Sequence, residues 1–473
     1  MVKKYIEELV LKEFAFEPTV GQRSAIDSLA SLIADERPFY ILKMHGYAGT
    51  GKTSLIAAFV KVLLRLEQKV VLLGPTGRAA KVLSSYSGEQ ALTIHKKIYR
   101  QKTADDFVAK FSLDRNLTAD TIYIVDEASM IADSNRESNA FGSGNLLEDL
   151  ISYVKSGRGC KLILLGDSAQ LPPVGRDNSP ALDRKELGYY ADVEEVWLRE
   201  VVRQDQASGI LENATAIRSM IEAEEIVQPK FCLDGFADIE RISGGDLIEK
   251  LSDTYDAVGI EDTIVVCRSN KLANRYNQGI RSRILYREEE LVRGDLLMVV
   301  KNSYFWTEGF KELEFIANGD IVEVVRIRRY HERYDFRFAE VTVRLVDYGD
   351  LEVDCYIMLD TLTSDSASLS YDQSRTFFQK VSEDYMHIGS KQKRYKEMRR
   401  DPFYNALQVK YANAVTCHKA QGGQWKTVFV DQGYFVDDMV SKEYLRWLYT
   451  ALTRATERVY LVNFPNKFFG EGE

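Results

Sequence analysis

Several features that restrict what a protein can be are missing from this chain of 473 residues. Its five cysteines lie far apart and form no C-x-x-C pair, which argues against a disulfide framework or a zinc site and favours a reducing compartment. No run approaches the roughly 20 apolar residues that a membrane-spanning helix needs. The first residues also lack the apolar core of a signal peptide. We therefore predict an intracellular, cytoplasmic protein that has no contact with membranes.

The chain also lacks the net positive charge that is typical of proteins that bind nucleic acids. Its formal net charge is −9 and its pI is about 5.4. Net charge is a weak test in a large protein, because a binding groove needs only local positive potential. Basic clusters with interleaved aromatic residues do occur, at residues 326–329 and 391–400 among others. The negative net charge of the chain therefore does not exclude nucleic acid as a partner.

One short segment restricts the chemistry more than any other. Residues 46–53 read GYAGTGKT, follow an apolar run at residues 39–44 and precede a helix-compatible segment. A strand, a glycine-rich loop and a helix N-terminus in this order bind phosphate, because backbone N–H groups and the helix dipole converge on a polyanion. Lys52 should reach the β- and γ-phosphates, and the Thr53 hydroxyl should bind Mg²⁺. The predicted nucleotide-binding residues of this loop are Gly46, Tyr47, Ala48, Gly49, Thr50, Gly51, Lys52, Thr53 and Ser54.

A second part of the nucleotide site is predicted at the ends of two later strands. The apolar run at residues 122–125 ends at Asp126 and Glu127. At the tip of a strand Asp126 suits a ligand of Mg²⁺, and the adjacent Glu127 suits the general base that orients the attacking water. The next apolar run leads to Gln170, which we expect to sense the γ-phosphate.

The spacing of the apolar runs predicts an α/β protein with two domains that contain parallel sheets. The first domain is expected at residues 1–185, with a hairpin insertion at residues 96–120. The second is expected in two parts, residues 186–292 and 407–473. Between these parts, residues 293–406 alternate with a period of two, which predicts a small β-barrel followed by a basic helical segment.

Further motifs occur in the order that is typical of one helicase family. The matching segments are residues 18–22, 74–80, 93–95, 201–204, 411–424 and 448–455. Together with the phosphate-binding loop they make the chain resemble superfamily 1 helicases of the B branch, in particular the RecD-like, Dda-type group. The resemblance implies two RecA-like domains, an SH3-like barrel, and hydrolysis of ATP with Mg²⁺.

The resemblance also implies roles for individual residues. Gln22 is expected to read adenine, and Arg203 and Arg454 are expected to reach the γ-phosphate as arginine fingers when the two domains close over ATP. Such cations are needed because negative charge develops on the γ-phosphoryl group during hydrolysis. The predicted catalytic residues are Lys52, Glu127, Gln170, Arg203 and Arg454.

Contacts with single-stranded DNA are expected at strand ends in both domains, where small side chains allow close approach of the backbone. In the resembled family a hairpin at residues 96–120 separates the strands as a pin, so its aromatic rings are candidates for stacking on the first broken base pair. Packing of these rings onto their own domain is the alternative, as is a core role for the two histidines. The predicted DNA-contacting residues are Pro75, Thr76, Gly77, His95, Tyr99, Phe107, Phe111, Thr416, His418 and Lys419.

Together these inferences favour an ATP-dependent DNA helicase that moves 5′ to 3′ on single strands, with the polarity implied by the resemblance alone. We expect a monomer that acts on single-stranded and forked DNA, associates with the nucleoid when bound, and works beside replication, repair or recombination proteins. One alternative is a single-strand-stimulated ATPase that remodels protein–DNA complexes. Another is a P-loop ATPase with a substrate other than nucleic acid. The sequence does not separate DNA from RNA.

Overall fold

The computed structural model describes residues 2–470 except positions 36, 38, 102–110, 133–141, 203–207, 308, 309, 311, 312, 314, 347, 350 and 367. Within these residues the protein has two parallel sheets, a closed five-stranded barrel and a separate two-stranded hairpin. This confirms the predicted α/β fold class with a hairpin and a barrel insertion. None of the described helices is long and apolar enough to cross a membrane.

Helices and strands alternate along both halves of the chain. The α-helices are α1 Val2–Glu13, α2 Val20–Ala34, α3 Lys52–Arg65, α4 Gly77–Ser87, α5 Ile94–Ile98, α6 Leu146–Ser156, α7 Arg184–Gly188, α8 Gly209–Ala223, α9 Leu247–Val258, α10 Asn270–Arg283, α11 Tyr371–Asp384, α12 Lys391–Met398, α13 Cys417–Ala420 and α14 Lys442–Leu452. The strands are β1 Tyr40–Gly46, β2 Lys69–Gly74, β3 Ala91–Thr93, β4 Tyr99–Gln101, β5 Phe111–Leu113, β6 Thr121–Val125, β7 Lys161–Gly166, β8 Asp192–Leu198, β9 Ile239–Ile242, β10 Thr263–Cys267, β11 Leu296–Val299, β12 Ile321–Arg333, β13 Phe336–Leu345, β14 Leu351–Met358, β15 Leu407–Tyr411, β16 Ala414–Thr416, β17 Trp425–Asp431 and β18 Ala455–Val462.

The first domain is built on a six-stranded sheet with the order β3-β2-β6-β7-β1-β8, in which all pairs are parallel. β1 and β6 are buried along their whole length, as expected for strands with both faces covered by helices. Because the strands are parallel, their carboxyl ends meet at one edge of the sheet. The phosphate-binding loop, Asp126 and Asp167 follow three of these ends.

The edge strand β8 extends the first domain beyond the predicted boundary at residue 185, which is therefore wrong. β8 pairs in parallel with β1 from Tyr40–Asp192 to Gly46–Leu198. Its sequence, DVEEVWL, lacks the continuous apolar run that marks the other strands, and most of its residues are exposed or half-buried. An edge strand needs less apolar surface than a central one, so its sequence signal is weaker.

The second domain contains a five-stranded parallel sheet with the order β16-β10-β17-β18-β9. The barrel, β11 to β15, is inserted between β10 and β16 and is antiparallel except where β14 meets β15. β15 closes the barrel by pairing with β11, from Leu297–Tyr411 to Val299–Val409. The predicted boundary at residues 406 and 407 is thus wrong, because β15 belongs to the barrel and not to the second sheet.

The predicted hairpin insertion is present at its base. β4 and β5 pair in an antiparallel register from Tyr99–Leu113 to Gln101–Phe111. The connecting residues 102–110, which include Phe107, lie outside the described residues. The predicted basic helical segment forms α11 and α12, which pack on the barrel through an aromatic cluster around Phe377 and Phe403.

Candidate active site

The phosphate-binding loop has the local geometry that its sequence predicts. β1 ends at Gly46 and α3 begins at Lys52, so residues 47–51 connect a buried strand to a helix N-terminus. Gly51 has a φ of 71°, in the left-handed region that residues with a Cβ rarely adopt. The N-terminus of α3 carries positive dipole potential, so the loop forms an anion-binding cradle.

The loop opens into a cleft of about 310 Å³ that is lined by residues of both domains. From the second domain, residues 453–456 contribute to the wall. Thr50 is the one predicted loop residue that does not line the cleft; its side chain is buried, and its hydroxyl donates to the carbonyl of Tyr47 at 2.8 Å. The predicted loop residues that line the cleft are Gly46, Tyr47, Ala48, Gly49, Gly51, Lys52, Thr53 and Ser54.

Gln22 lines the same cleft and holds the loop in place. Its Nε2 donates to the carbonyl of Thr50 at 2.9 Å, and its Oε1 accepts from the backbone N–H of Thr19 at 3.0 Å. The Thr19 hydroxyl caps α2 by accepting from the N–H of Gln22. The Gln22 side chain thus connects α2 to the loop. The recognition of adenine by Gln22 stays a prediction.

Two acidic residues face Lys52 from the end of β6. Asp126 Oδ1 lies 3.8 Å from Lys52 Nζ and accepts from the N–H of Glu127 at 2.8 Å. Glu127 has a φ of 52°, a strained backbone for a residue with a side chain, and such strain often marks functional sites. Its Oε2 is buried and has no hydrogen-bond partner among the described residues. A buried carboxylate oxygen of this kind is suited to accept a hydrogen bond from water.

Burial and charge act in opposite directions on the pKa values of this cluster. Burial disfavours the charged form of Lys52, but attraction to Asp126 and Glu127 outweighs it and raises the Lys52 pKa. Burial also raises the pKa of the Asp126 carboxyl and, at the end of β7, that of Asp167. Because buried carboxylates are stabilised by added positive charge, the site favours a polyanion that arrives with a metal ion.

The oxygen donors beside the loop suit Mg²⁺. Thr53 and Asp126 both line the cleft and offer a hydroxyl and a carboxylate. No group of three His, Cys, Asp or Glu side chains that could hold a metal ion occurs in the part of the chain that the structure describes. Mg²⁺ is usually bound by one or two carboxylates that are complemented by phosphate oxygens and water.

Arg454 reaches the cleft from the second domain. It follows α14, is 3% exposed, and its Nη1 lies 3.9 Å from Glu127 Oε1. Its guanidinium also donates to the carbonyls of Thr450 and Gly423 at 3.1 and 3.3 Å, which fixes its direction. The two domains therefore bring a cation of one and a carboxylate of the other together near Lys52. The other predicted arginine finger, Arg203, lies outside the described residues.

Gln170 and Asp167 bound the cleft where β7 ends. The N–H of Gln170 donates to the carbonyl of Asp167 at 3.3 Å, and Gln170 Oε1 is buried with no hydrogen-bond partner among the residues that are described. Asp167 was not predicted as a site residue. Its place directly after the apolar run at residues 161–165 is the signal that would have found it, because functional residues cluster at the carboxyl ends of parallel strands.

Three aromatic residues that the sequence analysis missed also line the cleft: Phe14, Phe16 and Tyr86. The rings of Phe14 and Phe16 meet edge to face with their centroids 6.0 Å apart, and Phe16 is 58% exposed. An exposed ring that lines a cleft together with Gln22 is suited to stack on a nucleobase. Phe14 and Phe16 precede the first recognisable motif, so no local pattern marks them.

The predicted DNA contacts Thr76 and Gly77 lie where both domains and the barrel meet. Thr76 caps α4, and a Cβ added to Gly77 would lie 2.5 Å from Asp320 Oδ1 at the barrel, so the barrel already covers this glycine. From the second domain, Lys419 Nζ contacts Asn318 Oδ1 at 2.5 Å. The structure thus places predicted DNA-contacting residues of both domains next to the loop that precedes β12.

The other predicted contacts at strand ends, Pro75, His95, Thr416 and His418, are half-buried. Burial lowers the pKa of His95 to about 4 and also lowers that of His418. Both imidazoles are therefore neutral near pH 7 and can offer hydrogen bonds but no positive charge to phosphates. Their contacts with DNA stay a prediction.

Tyr99 and Phe111 pack into the core of the first domain, which was the alternative to a stacking role. They are 3% and 7% exposed. The Tyr99 hydroxyl donates to Asp149 Oδ2 at 2.7 Å, and the Phe111 ring packs on Tyr304 with the centroids 4.5 Å apart. The predicted stacking of these two rings on DNA is therefore wrong, because neither presents a free face. Phe107 lies outside the described residues.

Comparisons with known proteins give a consistent result. Residues 18–228 match the family model described as an AAA domain, and residues 411–462 match the model described as a UvrD-like helicase C-terminal domain. The chain is 24% identical over 467 residues to the ATP-dependent DNA helicase dda of Enterobacteria phage T4, covering 94% of this chain and 99% of that protein. It is 27% identical over 163 residues to the ATP-dependent RecD2 DNA helicase of Deinococcus radiodurans, covering 33% of this chain and 19% of that protein.

Solved structures with a similar chain path include a Pif1 helicase from Bacteroides in complex with ADP-AlF3 and single-stranded DNA. The sequence identity is 15% and the TM-score is 0.48, with 96% of this chain and 94% of that chain covered.

The burial of Phe111 leads to a prediction about stability. Phe111→Ala should lower the free energy of unfolding by about 3–5 kcal/mol, because it removes a buried ring and leaves a cavity. The measurement is urea denaturation followed by circular dichroism. Tyr189→Ala, at a position that is 82% exposed, is the control and should change stability by less than about 0.5 kcal/mol. Equal effects of the two substitutions would contradict the core assignment.

Proposed function

We propose that this chain is an ATP-dependent DNA helicase of superfamily 1B, as its ordered motifs predict and as its similarity to the dda and RecD2 helicases supports. The observation that carries this proposal is the approach of Arg454 to Glu127, 3.9 Å apart across the interdomain cleft. A phosphate-binding loop alone is common to many nucleotide-binding proteins. A cation from a second domain beside the candidate base supports ATP hydrolysis that depends on how the two domains are arranged.

The side chains of the cleft have complementary roles in the proposed hydrolysis. Lys52 neutralises charge on the β- and γ-phosphates. Glu127 orients the attacking water towards phosphorus through its buried Oε2, which has no hydrogen-bond partner in the described part of the chain. Arg454 stabilises the negative charge that develops on the γ-phosphoryl oxygens. Gln170, whose amide oxygen has no hydrogen-bond partner among the described residues, lines the same cleft and senses whether the γ-phosphate is present.

Thr53 and Asp126 are the residues that would hold Mg²⁺. When it is bound, the ion supplies positive charge that neutralises the phosphate oxygens of the nucleotide. Arg203 is proposed as a second arginine finger on the strength of the resembled motif alone.

We further propose that single-stranded DNA crosses both domains beside the barrel, where Gly77 lies against Asp320 and Lys419 contacts Asn318. Because ATP binds between the same two domains, closing and opening of the cleft would change the distance between two DNA-binding surfaces. Movement from 5′ to 3′, action on forked duplexes and a monomeric state are inferred from the family. We also infer from the family that the tip of the hairpin between β4 and β5 separates the two DNA strands.

The proposed function is tested by measuring ATP hydrolysis with single-stranded DNA, with single-stranded RNA and without a polymer. We expect stimulation by single-stranded DNA, together with ATP-dependent unwinding of a forked duplex that carries a 5′ single-stranded tail. Turnover that no polymer stimulates would favour an ATPase with another substrate. Stimulated turnover without unwinding would favour remodelling of protein–DNA complexes.

Lys52→Ala and Glu127→Gln should both abolish turnover, for different reasons. Loss of Lys52 removes a charge that contacts the phosphates, so the affinity for ATP should fall. Glu127→Gln changes only the group that orients water, so ATP should still bind. The measurement is binding of a fluorescent ATP analogue beside steady-state hydrolysis. An equal loss of ATP affinity in both variants would remove Glu127 from the role of base.

Arg454→Ala should lower ATP hydrolysis by about 10³-fold or more, which is typical for loss of an arginine finger. Binding of single-stranded DNA without nucleotide should change little. The control is Arg458→Ala, on β18 of the same domain, where the guanidinium contacts Tyr460 and does not line the ATP cleft. Arg203→Ala should resemble Arg454→Ala. Normal hydrolysis by Arg454→Ala would refute the assignment.

Phe107→Ala should lower the number of base pairs unwound for each ATP consumed, while DNA-stimulated hydrolysis is preserved. The reason is that stacking on an aromatic ring contributes about 1–3 kcal/mol per base. Leu117→Ala, at an exposed apolar position shortly after the hairpin, is the control. If unwinding and melting temperature fall together, Phe107 has a structural role; if neither changes, another element separates the strands.

A further inference from the structure

One face of α14 contacts three separate segments of the first domain. Tyr449 and Thr450 lie three and four residues after Arg446, so all three side chains share one side of the helix. Arg446 Nη2 donates to Asn178 Oδ1 at 3.0 Å, and Thr450 Oγ1 accepts from the N–H of Leu171 at 2.9 Å. These contacts hold the loop that follows Gln170 against the second domain.

Tyr449 makes the contact that matters most for the nucleotide. Its side chain is 1% exposed, and its hydroxyl has two partners in the first domain. It accepts a hydrogen bond from the backbone N–H of Ala48 at 2.9 Å and donates one to Asp167 Oδ2 at 2.6 Å. A single hydroxyl of the second domain thus joins the phosphate-binding loop to the end of β7.

Each partner of this hydroxyl belongs to the candidate ATP site. Ala48 lines the cleft as part of the loop whose backbone N–H groups form the anion cradle. Asp167 also lines the cleft, and its Oδ1 accepts from the N–H of Ala169 at 2.9 Å, directly before Gln170. Movement of Tyr449 would therefore shift both the phosphate-binding loop at Ala48 and the segment from Asp167 to Gln170.

We propose that Tyr449 is a positioning residue that couples nucleotide binding in the phosphate-binding loop to the position of the second domain and hence to the grip on single-stranded DNA. The inference rests on the proposed function, because it needs ATP in this cleft and DNA across both domains. The backbone N–H of Ala48 has one hydrogen, so a phosphate oxygen that draws on it competes with the Tyr449 hydroxyl. Nucleotide binding and this interdomain contact are then thermodynamically linked.

The competing explanation is that Tyr449 is only a buried hydrogen-bonded tyrosine that stabilises the interface. Tyr444 provides a matched control on the same helix. Its ring is also buried, and its hydroxyl donates to Gln432 Oε1 at 3.0 Å, wholly within the second domain. Tyr→Phe at either position removes one buried hydroxyl and keeps the ring, so a purely structural role predicts the same phenotype for both.

The test compares the affinity for fluorescently labelled single-stranded DNA without nucleotide and with a non-hydrolysable ATP analogue, measured by anisotropy. The ratio of the two dissociation constants reports the coupling between the sites. We expect Tyr449→Phe to move this ratio towards one by about fivefold or more. It should also lower the KM for ATP more than it changes kcat, because the hydroxyl no longer competes for the N–H of Ala48. Tyr444→Phe should keep the wild-type ratio. Melting temperatures of both variants report any loss of folded protein.

Several outcomes would overturn the inference. A wild-type ratio in Tyr449→Phe, or an equal fall in Tyr444→Phe, would leave Tyr449 with a structural role only. Should Tyr449→Phe fail to fold, Asp167→Ala removes the acceptor of the same hydroxyl and should shift the ratio in the same direction; an unchanged ratio there counts against coupling. If the wild-type protein neither hydrolyses ATP nor changes its DNA affinity with nucleotide, the proposed function fails as well.

Discussion

A loop can bind a polyanion through its backbone only if other parts of the molecule hold its N–H groups in place, and this requirement explains much of the present structure. The loop at residues 46–53 is held on one side by Gln22, which donates to the carbonyl of Thr50. It is held on the other by Tyr449, which accepts from the N–H of Ala48. Tyr47 is fixed as well, through its hydroxyl to Glu222 of α8. Both domains therefore shape the cradle.

This arrangement links the chemistry of the cleft to the contact between the domains. Lys52 and Glu127 belong to the first domain, whereas Arg454 enters from the second and is directed by carbonyls of its own domain. A change in the angle between the domains would move Arg454 relative to Glu127 and would alter the contacts of α14 at the same time. Hydrolysis and domain movement are then expected to be mutually dependent, which is what a motor requires.

The barrel also contacts both domains beside the interface between them. It covers Gly77 with Asp320 and meets Lys419 through Asn318. Tyr304, which precedes β12, also packs on Phe111 at the base of the hairpin. Residues for which a role in DNA binding is proposed therefore lie beside the barrel, and a strand of nucleic acid bound there would contact it.

Elements whose signals are local could be predicted from the amino-acid sequence. The strand–loop–helix order around Lys52, the acids after β6 and the parallel-strand runs were predicted because each is encoded by neighbouring residues, and central strands are apolar throughout. β8 was not predicted because an edge strand tolerates glutamates. β15 was assigned to the wrong domain because its alternating sequence, LQVKY, does not indicate which sheet it joins. The core positions of Tyr99 and Phe111 became clear only in the folded protein, since an aromatic residue in a hairpin has the same sequence whether its ring faces a base or its own domain. The same holds for Tyr449: its partners Ala48 and Asp167 are hundreds of residues away, and no local pattern specifies a distance across an interface.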